Sequence, residues 1–289
     1  MMKGANYECK RKIRSFIKKL YYITNRRWES YKLGATRFGG KPDTPVDFTW
    51  PTYKGKSYDD IEKERPLTFL AQFNCEEISK YDADHILPKH GLLSFFYETD
   101  TQCWGFNPED KGCARVHWFE DISKLSQTEF PKEMEDDFKF PMIKIKATST
   151  KSYPSWVDYN EMFPDDDDDE FEKIWSELTG NDVEEPVNRS QLLGWPDVIQ
   201  NSMFEECDLV SQGYYLGNSE GWSKIPKDIR KRAEESAKDR WMLLFQLDIV
   251  ENDDFELMFG DCGHIYFYIT KEDLSERKFD NTWLILQCY

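Results

Sequence analysis

Short apolar runs, each closed by polar or turn-forming residues, dominate the last fifty residues of the chain. They cover Trp241–Asp248, Leu257–Thr270 and Asn281–Tyr289, and they are rich in aromatic and branched side chains. Short runs of this composition, bounded by glycine, aspartate or asparagine, are typical of buried β-strands rather than of helices. We therefore predict that the C-terminal region is built from buried strands.

The same kind of pattern occurs earlier in the chain. Arg65–Asn74 and Leu92–Tyr97 are apolar runs, whereas Ala114–Phe119 and Phe140–Ala147 alternate apolar with polar positions. Alternation places the apolar side chains on one face of a strand, so these four segments are predicted strands, as is Met203–Val210. Short helices are predicted at Glu76–Tyr81, Glu172–Leu178 and Ile225–Lys238.

Apolar residues recur with helical spacing near the N-terminus. Ile13, Phe16, Ile17 and Leu20 fall on one stripe of a helix. Residues 1–32 also carry ten lysines and arginines against two acidic residues, a charge of +8. A basic amphipathic helix is therefore predicted over residues 7–32. Two roles stay open, because such a helix can dock its apolar stripe on the protein body or lie on an anionic membrane.

Three short segments recur in the same order in two parts of the chain. The pairs are Gly40–Asp43 with Gly194–Asp197, Leu70–Asn74 with Leu244–Asp248, and Gly91–Tyr97 with Gly263–Tyr268. Their common order predicts an internal duplication. The predicted fold class is α+β and β-rich, with two related halves of mostly antiparallel strands and a few peripheral helices.

Features that occur in both halves are interpreted as architectural. Gln72 and Gln246 lie inside apolar strands, where a buried amide must find hydrogen-bond partners, so both are predicted structural hydrogen bonders. The two Gly-x-Pro-Asp segments are predicted turns. The expected boundaries are a basic N-terminal helix (1–32), a first β-rich half (33–150), an acidic connecting segment (151–189) and a second β-rich half (190–289). Both halves are expected to form one compact domain.

Charge and cysteine content narrow the class of protein. The net charge is −17, so the chain beyond residue 32 carries −25. Such a surface repels nucleic-acid phosphates, and we expect no nucleic-acid partner. The seven cysteines are scattered and form no C-x-x-C motif. With no recognisable export signal and no apolar run long enough to span a membrane, reduced thiols and a cytoplasmic location are expected.

Seven stretches of the sequence, taken together, resemble the YwqG family of bacterial proteins, a group of unknown function also called DUF1963. The similar stretches are Phe38–Pro45, Phe69–Asn74, Leu87–Tyr97, Trp104–Asp110, Leu193–Gln200, Met258–Gly263 and Leu286–Tyr289. Phe259 departs from the tryptophan that usually precedes Gly-Asp in this family. The resemblance implies a β-rich fold with internal duplication, and it brings no established activity and no catalytic residues.

No motif in the sequence defines a reaction. There is no G-x-S-x-G, H-x-x-x-H or H-E-x-x-H motif, so no metal and no cofactor are expected. The catalytic residues stay unknown, and whether the protein is an enzyme stays uncertain, with a non-enzyme favoured. Residues that occur in only one half are the better candidates for function. We single out Trp104, Arg115, Asp261 and His264 as candidate ligand-binding residues.

Three functions stay open. The favoured one is a non-catalytic protein-interaction module, resembling immunity proteins by analogy, whose acidic and aromatic-rich surface binds a basic protein. The alternatives are a small-ligand-binding protein, or an enzyme of unknown activity, that uses a cleft between the two halves. Contact with a membrane is expected only if the N-terminal helix is an anchor.

Overall fold

A computed structural model describes residues 18–27, 31–56, 61–82, 84–166, 168–180, 189–252 and 255–289. Within these ranges the chain forms sixteen strands. They are β1 (Lys18–Arg27), β2 (Arg37–Phe38), β3 (Asp43–Pro45), β4 (Thr52–Lys56), β5 (Glu62–Pro66), β6 (Thr68–Asn74), β7 (Leu92–Tyr97), β8 (Ala114–Phe119), β9 (Leu125–Gln127), β10 (Ile143–Ser152), β11 (Gln191–Leu192), β12 (Trp241–Leu247), β13 (Val250–Asn252), β14 (Phe255–Leu257), β15 (His264–Thr270) and β16 (Trp283–Gln287).

Seven α-helices accompany the strands in the same ranges. They are α1 (Cys75–Ser79), α2 (Trp156–Met162), α3 (Asp168–Thr179), α4 (Phe204–Ser211), α5 (Ser219–Ser223), α6 (Lys227–Arg240) and α7 (Lys271–Ser275). The three predicted helices correspond to α1, α3 and α6. The prediction of a β-rich fold with mostly antiparallel strands is confirmed.

Ten strands form one antiparallel sheet in the order β16-β15-β12-β11-β1-β10-β2-β6-β7-β8. Its centre is the long pair β1 and β10, in register from Lys18 opposite Ser152 to Arg27 opposite Ile143. On one side of this pair, β10 pairs with β2 of the first half, and on the other side β1 pairs with β11 of the second half. Each half therefore contributes four strands on its own side of this central pair.

The prediction of an N-terminal helix is wrong over Lys18–Arg27, which form the central strand β1. Leu20 to Thr24 is a run of branched and aromatic residues, a composition that suits a strand, and β10 supplies ten paired positions for its main chain. Residues 7–17 and 28–30 of the predicted helix lie outside the described residues. Whether Ile13, Phe16 and Ile17 dock on the protein or on a membrane therefore stays a prediction.

The run Met203–Val210 is a helix and not the predicted strand. Residues Phe204–Ser211 form α4, which packs against the sheet through the Phe204 ring, 5.5 Å from the Tyr268 ring. A short apolar run has the same pattern in a buried strand and in a buried helix, so only packing separates the two. Helix α4 meets α6 on this face of the second half, and both its sides are buried.

The main core lies where the two sides of the sheet face each other. Strands β6 and β12 are five positions apart in the sheet, about 24 Å if the sheet were flat. The rings of Phe73 on β6 and Phe245 on β12 are nevertheless 5.2 Å apart, and Phe95 on β7 lies 4.7 Å from Phe245. The sheet therefore folds over, and these aromatic side chains fill the space between its halves.

The two halves share one hydrogen-bond arrangement, made by a glutamine on β6 in the first half and on β12 in the second. In the first half, Gln72 accepts from the Asp43 N–H (3.1 Å) and donates to the Asp43 carboxylate (2.7 Å). In the second half, Gln246 accepts from the Asp197 N–H (2.9 Å) and donates to the Asp197 carboxylate (2.9 Å). The prediction that both glutamines are structural hydrogen bonders is confirmed. Each amide joins a strand to the turn that ends in its aspartate.

Candidate functional site

A cavity of about 450 Å³ opens between the two halves of the protein. The loop Asp84–Ile86 of the first half forms one wall. The second half forms the rest, with Leu193 and Gly194 after β11, Met242 on β12, and Lys271, Leu274, Ser275 and Arg277 around α7. Clefts of this volume between two structural units are a common location for small-molecule binding.

The floor of this interhalf cleft is apolar. Leu193, Met242 and Leu274 are buried side chains that also belong to the main core, and Ile86 is half-buried beside them. Because these side chains are held by core packing, the floor is preformed. It offers a ligand mainly apolar surface, which favours binding of an apolar group in proportion to the area removed from water.

The rim of the cleft is polar and carries two cations. Lys271, Arg277 and His85 lie on it together with Asp84 and Ser275. Arg277 Nη1 donates to the Leu274 carbonyl (3.1 Å) and approaches the Ile86 carbonyl (3.4 Å), so its guanidinium connects the two halves. The cleft therefore combines an apolar floor with a few fixed polar groups, which is the usual composition of a ligand site.

Unusual backbone conformations concentrate in this cleft. Among the described residues, five residues other than glycine have a left-handed backbone. Three of them, His85 (φ 54°), Leu193 (φ 61°) and Arg277 (φ 61°), line the cleft. A left-handed conformation costs a residue with a Cβ about 1–2 kcal/mol. Such costs accumulate at functional sites, where the side chain is retained for a purpose other than backbone stability.

Leu193 illustrates this cost, because the other half has glycine at the corresponding position. Leu193 N–H donates to the Leu244 carbonyl (3.1 Å), as Gly39 N–H donates to the Leu70 carbonyl (2.7 Å). Gly39 also has a left-handed backbone (φ 58°). A Cβ on Gly39 would lie 2.2 Å from the Pro141 carbonyl oxygen, which excludes a side chain there. The second half keeps a buried leucine at this position despite the backbone cost.

We expect Leu193→Gly to be more stable than Leu193→Ala by about 1 kcal/mol. Both changes remove the same buried side chain, but only glycine relieves the left-handed backbone. Leu274→Ala and Leu274→Gly, on helix α7, are the matched controls and should show the opposite order, because glycine is unfavourable in a helix. Urea unfolding of the four variants measures both differences. Equal stability of the two Leu193 variants would contradict a backbone cost at this position.

Arg277 occupies a helix terminus that usually prefers glycine. Helix α7 ends with the Lys278 N–H donating to the Asp273 carbonyl (2.8 Å) and the Arg277 N–H donating to the Leu274 carbonyl (3.2 Å). This pair of bonds is the Schellman motif, whose left-handed residue is commonly glycine. The motif fixes the main chain of Arg277 at the mouth of the cleft.

The structure places the four sequence-predicted ligand residues away from this cleft, at three different positions. Trp104 and Asp261 lie on neighbouring loops joined by Gln102, which donates to the Met258 carbonyl (3.2 Å) and accepts from the Gly260 N–H (2.8 Å). Arg115 is half-buried on the edge strand β8. His264 is buried, and none of the four lines the cleft.

His264 belongs to a buried polar network. Its Nε2 lies 3.0 Å from Asp248 Oδ1, and its Nδ1 lies 3.1 Å from the Tyr266 hydroxyl. The Tyr266 hydroxyl donates to the Asp197 carbonyl (2.6 Å). The histidine thus connects β15 to the end of β12 and to the Gly194–Asp197 turn. A ligand role for it stays a prediction.

Sequence reasoning missed the residues of the cleft. Lys271, Arg277 and His85 lie outside every predicted strand, helix and motif. The Gly194 turn was predicted, yet its neighbour Leu193 had no local signal of a left-handed backbone. The cleft depends on a contact between Arg277 and Ile86, which are 191 residues apart in the sequence.

Carboxyl groups form a second unusual cluster, on helices α2 and α4, in which Glu206 is buried, Glu205 is half-buried and Glu161 is exposed. Burial, with Glu161 and Glu205 nearby, raises the pKa of Glu206 to about 8. Burial and the neighbouring Glu234 raise the pKa of Glu205 to about 7, and partial desolvation also raises the pKa of Glu161. Among the described residues, no group of acidic, histidine or cysteine side chains is arranged to hold a metal ion.

These shifts predict that folding stability falls as the pH rises from about 4.5 to about 8. The unfolded Glu206 releases its proton near its ordinary pKa of 4.5, whereas the folded carboxyl keeps it to about 8. As the pH rises above about 4.5, deprotonation therefore stabilises the unfolded state first, and the folded state loses stability relative to it over this window. Glu206→Gln should flatten the slope of unfolding free energy against pH, measured by urea unfolding. An unchanged slope would contradict the assignment to Glu206.

The fold and cleft define a β-rich α+β protein with a preformed small-molecule-sized cavity between two halves. The family model for the domain of unknown function DUF1963 matches residues 36–288. The chain therefore belongs to the DUF1963 family, and the resemblance noted from the sequence is confirmed. A comparison with curated proteins finds no match. No helix in the described part of the chain is long and apolar enough to cross a membrane.

Proposed function

We propose that the protein binds a small molecule in the interhalf cleft. The observation that carries the proposal is a preformed cavity of about 450 Å³ with an apolar floor and a polar rim. Three of its lining residues other than glycine have a left-handed backbone. Each of these features is characteristic of a binding site, and all three coincide here. A binding role without catalysis is the simpler proposal, because among the described lining residues the Ser275 hydroxyl donates to the Glu272 carbonyl (2.8 Å) and has no hydrogen bond to a base.

The test uses N-phenyl-1-naphthylamine, a neutral apolar dye whose fluorescence rises in a dry site. We expect saturable binding to the folded protein, and we expect Ser275→Trp to abolish it. Ser275 is exposed at the cleft, so an indole there fills the cavity without removing core contacts. Glu272→Trp, on the exposed face of the same helix and outside the lining, is the matched control. Absence of saturable binding, or equal binding by both variants, would overturn the proposal.

We also propose that the two halves arose by internal duplication, which would explain why the cleft lies between them. Three observations support this. The strand series β2-β6-β7-β8 and β11-β12-β15-β16 have the same order. A register shift occurs next to Leu70 in one half and next to Leu244 in the other. The Gln–Asp bonds of Gln72 and Gln246 have the same donors and acceptors in both halves.

Protein interaction is a second candidate function, favoured by one surface. Trp104 (45% exposed), Met258 (39%) and Tyr289 (65%) project from loops that are bonded to one another. The Tyr289 N–H donates to the Asp261 carbonyl (3.1 Å), and the Leu286 N–H donates to the Trp104 carbonyl (3.0 Å). Exposed aromatic side chains beside an acidic residue suit a basic partner with an apolar anchor. The six cysteines in the described part of the chain form no disulfide, which would suit a cytoplasmic setting.

Native mass spectrometry of the protein recovered from its own cells tests this second candidate. We expect a stoichiometric basic protein whose retention falls as the salt concentration rises. The double variant Trp104→Ser, Tyr289→Ser should lose it. Tyr215→Ser, which removes an exposed ring of the second half outside this surface, should retain it. A partner retained by the double variant would contradict this surface as the interface.

A further inference from the structure

We infer that the ligand of the interhalf cleft is an amphipathic anion, whose apolar body lies on Leu193, Met242 and Leu274 and whose negative group is held by Arg277 and Lys271. This inference rests on the proposed function, since it assigns a chemical class to the ligand of the same cavity. It adds the requirement that the ligand carries a negative charge, because the apolar floor alone would also bind a neutral ligand.

The charge of the rim is opposite to that of the protein. The whole chain has a net charge of −17, with 55 acidic against 38 basic residues. The cleft lining nevertheless contains two cations, Lys271 and Arg277, against one carboxylate, Asp84. A local excess of cations on an acidic protein concentrates positive potential at the cleft mouth, and that potential favours an anionic ligand over a neutral one.

Arg277 retains capacity to bind an anion. A guanidinium has five N–H donors, and the hydrogen bonds of this side chain go to main-chain carbonyls of Leu274 and Ile86 through Nη1. Within the described ranges, no carboxylate lies within 4.0 Å of its nitrogen atoms. Five other arginines do have such a carboxylate, namely Arg37, Arg65, Arg189, Arg230 and Arg240. The unpaired guanidinium at the cleft can therefore pair with a ligand carboxylate or sulfonate.

The position of Arg277 is fixed before a ligand arrives. The Schellman bonds hold its main chain, and the contact with the Ile86 carbonyl holds its side chain across the cleft. A preorganised donor loses less conformational entropy on binding than a flexible surface side chain. Lys271 is exposed at the start of α7 and adds a second cation on the same rim.

The experiment compares two dyes that share one apolar body. N-phenyl-1-naphthylamine is neutral, and 1-anilinonaphthalene-8-sulfonate is the same ring system with a sulfonate. We expect the sulfonate to bind the wild-type protein about tenfold or more tightly, as a charge-assisted hydrogen bond predicts. Added salt should reduce this ratio. Ser275→Trp should abolish the binding of both dyes, which assigns the signal to the cleft and not to another apolar surface.

Substitution of Arg277 and Lys271 tests whether these two cations cause the preference for the sulfonate dye. Arg277→Asn should remove most of the sulfonate preference while changing the affinity for the neutral dye less than twofold. Asparagine tolerates the left-handed backbone, so the variant should fold, and Lys271→Gln on the exposed rim gives an independent check with a smaller loss. Lys146→Gln removes an exposed positive charge on β10, outside the cleft lining, and should leave the ratio unchanged.

The outcomes separate the two proposals. Saturable binding of both dyes with no sulfonate preference, or a preference that survives Arg277→Asn and Lys271→Gln, overturns the anion assignment and leaves ligand binding standing. Failure of both dyes to bind the wild-type protein overturns the ligand-binding function itself. Loss of the preference in Arg277→Asn with the neutral dye still bound supports both.

Discussion

Replacing Asp43 by alanine is expected to lower the free energy of unfolding by about 3–5 kcal/mol, because it leaves a buried guanidinium without its counter-charge. The side chains of Asp43 and Arg37 are both fully buried, with 2.9 Å between Arg37 Nη1 and Asp43 Oδ2. The same carboxylate accepts from the Gln72 amide (2.7 Å), the Gly34 N–H (2.8 Å) and the Tyr31 hydroxyl (2.9 Å). One substitution therefore removes the acceptor of four donors.

The second half supplies the matched control for this prediction. Asp197 accepts from Arg189 Nη2 (2.7 Å) and from the Gln246 amide (2.9 Å), in the arrangement that Asp43 has with its partners. The Arg189 side chain is 17% exposed, so water can solvate it after the carboxylate is removed. We expect Asp197→Ala to cost about 1–3 kcal/mol. Urea unfolding compares the two variants, and equal losses would contradict the role of burial.

The aspartate–glutamine bonds could be predicted because a polar residue inside an apolar strand has few alternatives. Gln72 and Gln246 lie in the runs that became β6 and β12, and a buried amide without partners would be strongly destabilising. Their repetition at matching sequence positions strengthened the prediction. Arg37 could not be predicted in the same way, because nothing in the local pattern indicates that this cation is buried with Asp43.

The errors of the sequence-based prediction have a common cause, which is that tertiary contacts decided the conformation. Residues Lys18–Arg27 form a strand because β10 and β11 offer them main-chain partners. Phe204–Ser211 is a helix because it covers the outer face of β12, β15 and β16 together with α6. The strands that these two segments contact lie far from them in the sequence, so the periodicity within each segment could not distinguish a strand from a helix.

The cleft was expected between the two halves, but its residues could not be named from the sequence. Both halves must be folded before Arg277 meets the Ile86 carbonyl. The four predicted ligand residues were chosen because they occur in one half only. That criterion selects positions at which the halves differ, whereas the cleft is lined by positions at which the halves meet. Leu193 is a position of both kinds: it differs from its counterpart Gly39 in the other half, and it lines the cleft where the halves meet.

A loop of the first half closes the open edge of the sheet in the second half. Residue Trp104 accepts a main-chain hydrogen bond from Leu286 on β16 (3.0 Å), and the Gly105 carbonyl accepts from the Trp283 indole (2.8 Å). Gly105 has a left-handed backbone (φ 82°), and a Cβ on it would lie 1.8 Å from the Leu284 carbonyl oxygen. Only glycine allows the two main chains to approach so closely.

We therefore expect Gly105→Ala to lower the free energy of unfolding by more than about 4 kcal/mol, because both backbone strain and a main-chain clash oppose the native contact. Gly213→Ala is the matched control: its backbone is also left-handed (φ 101°), but a Cβ there meets no atom within 4 Å. It should cost only the conformational strain, about 1–2 kcal/mol. Urea unfolding, followed by the fluorescence of Trp283 and the other tryptophans, measures both losses. If the two variants lose equal stability, the loop does not make the close contact that joins the first half to β16.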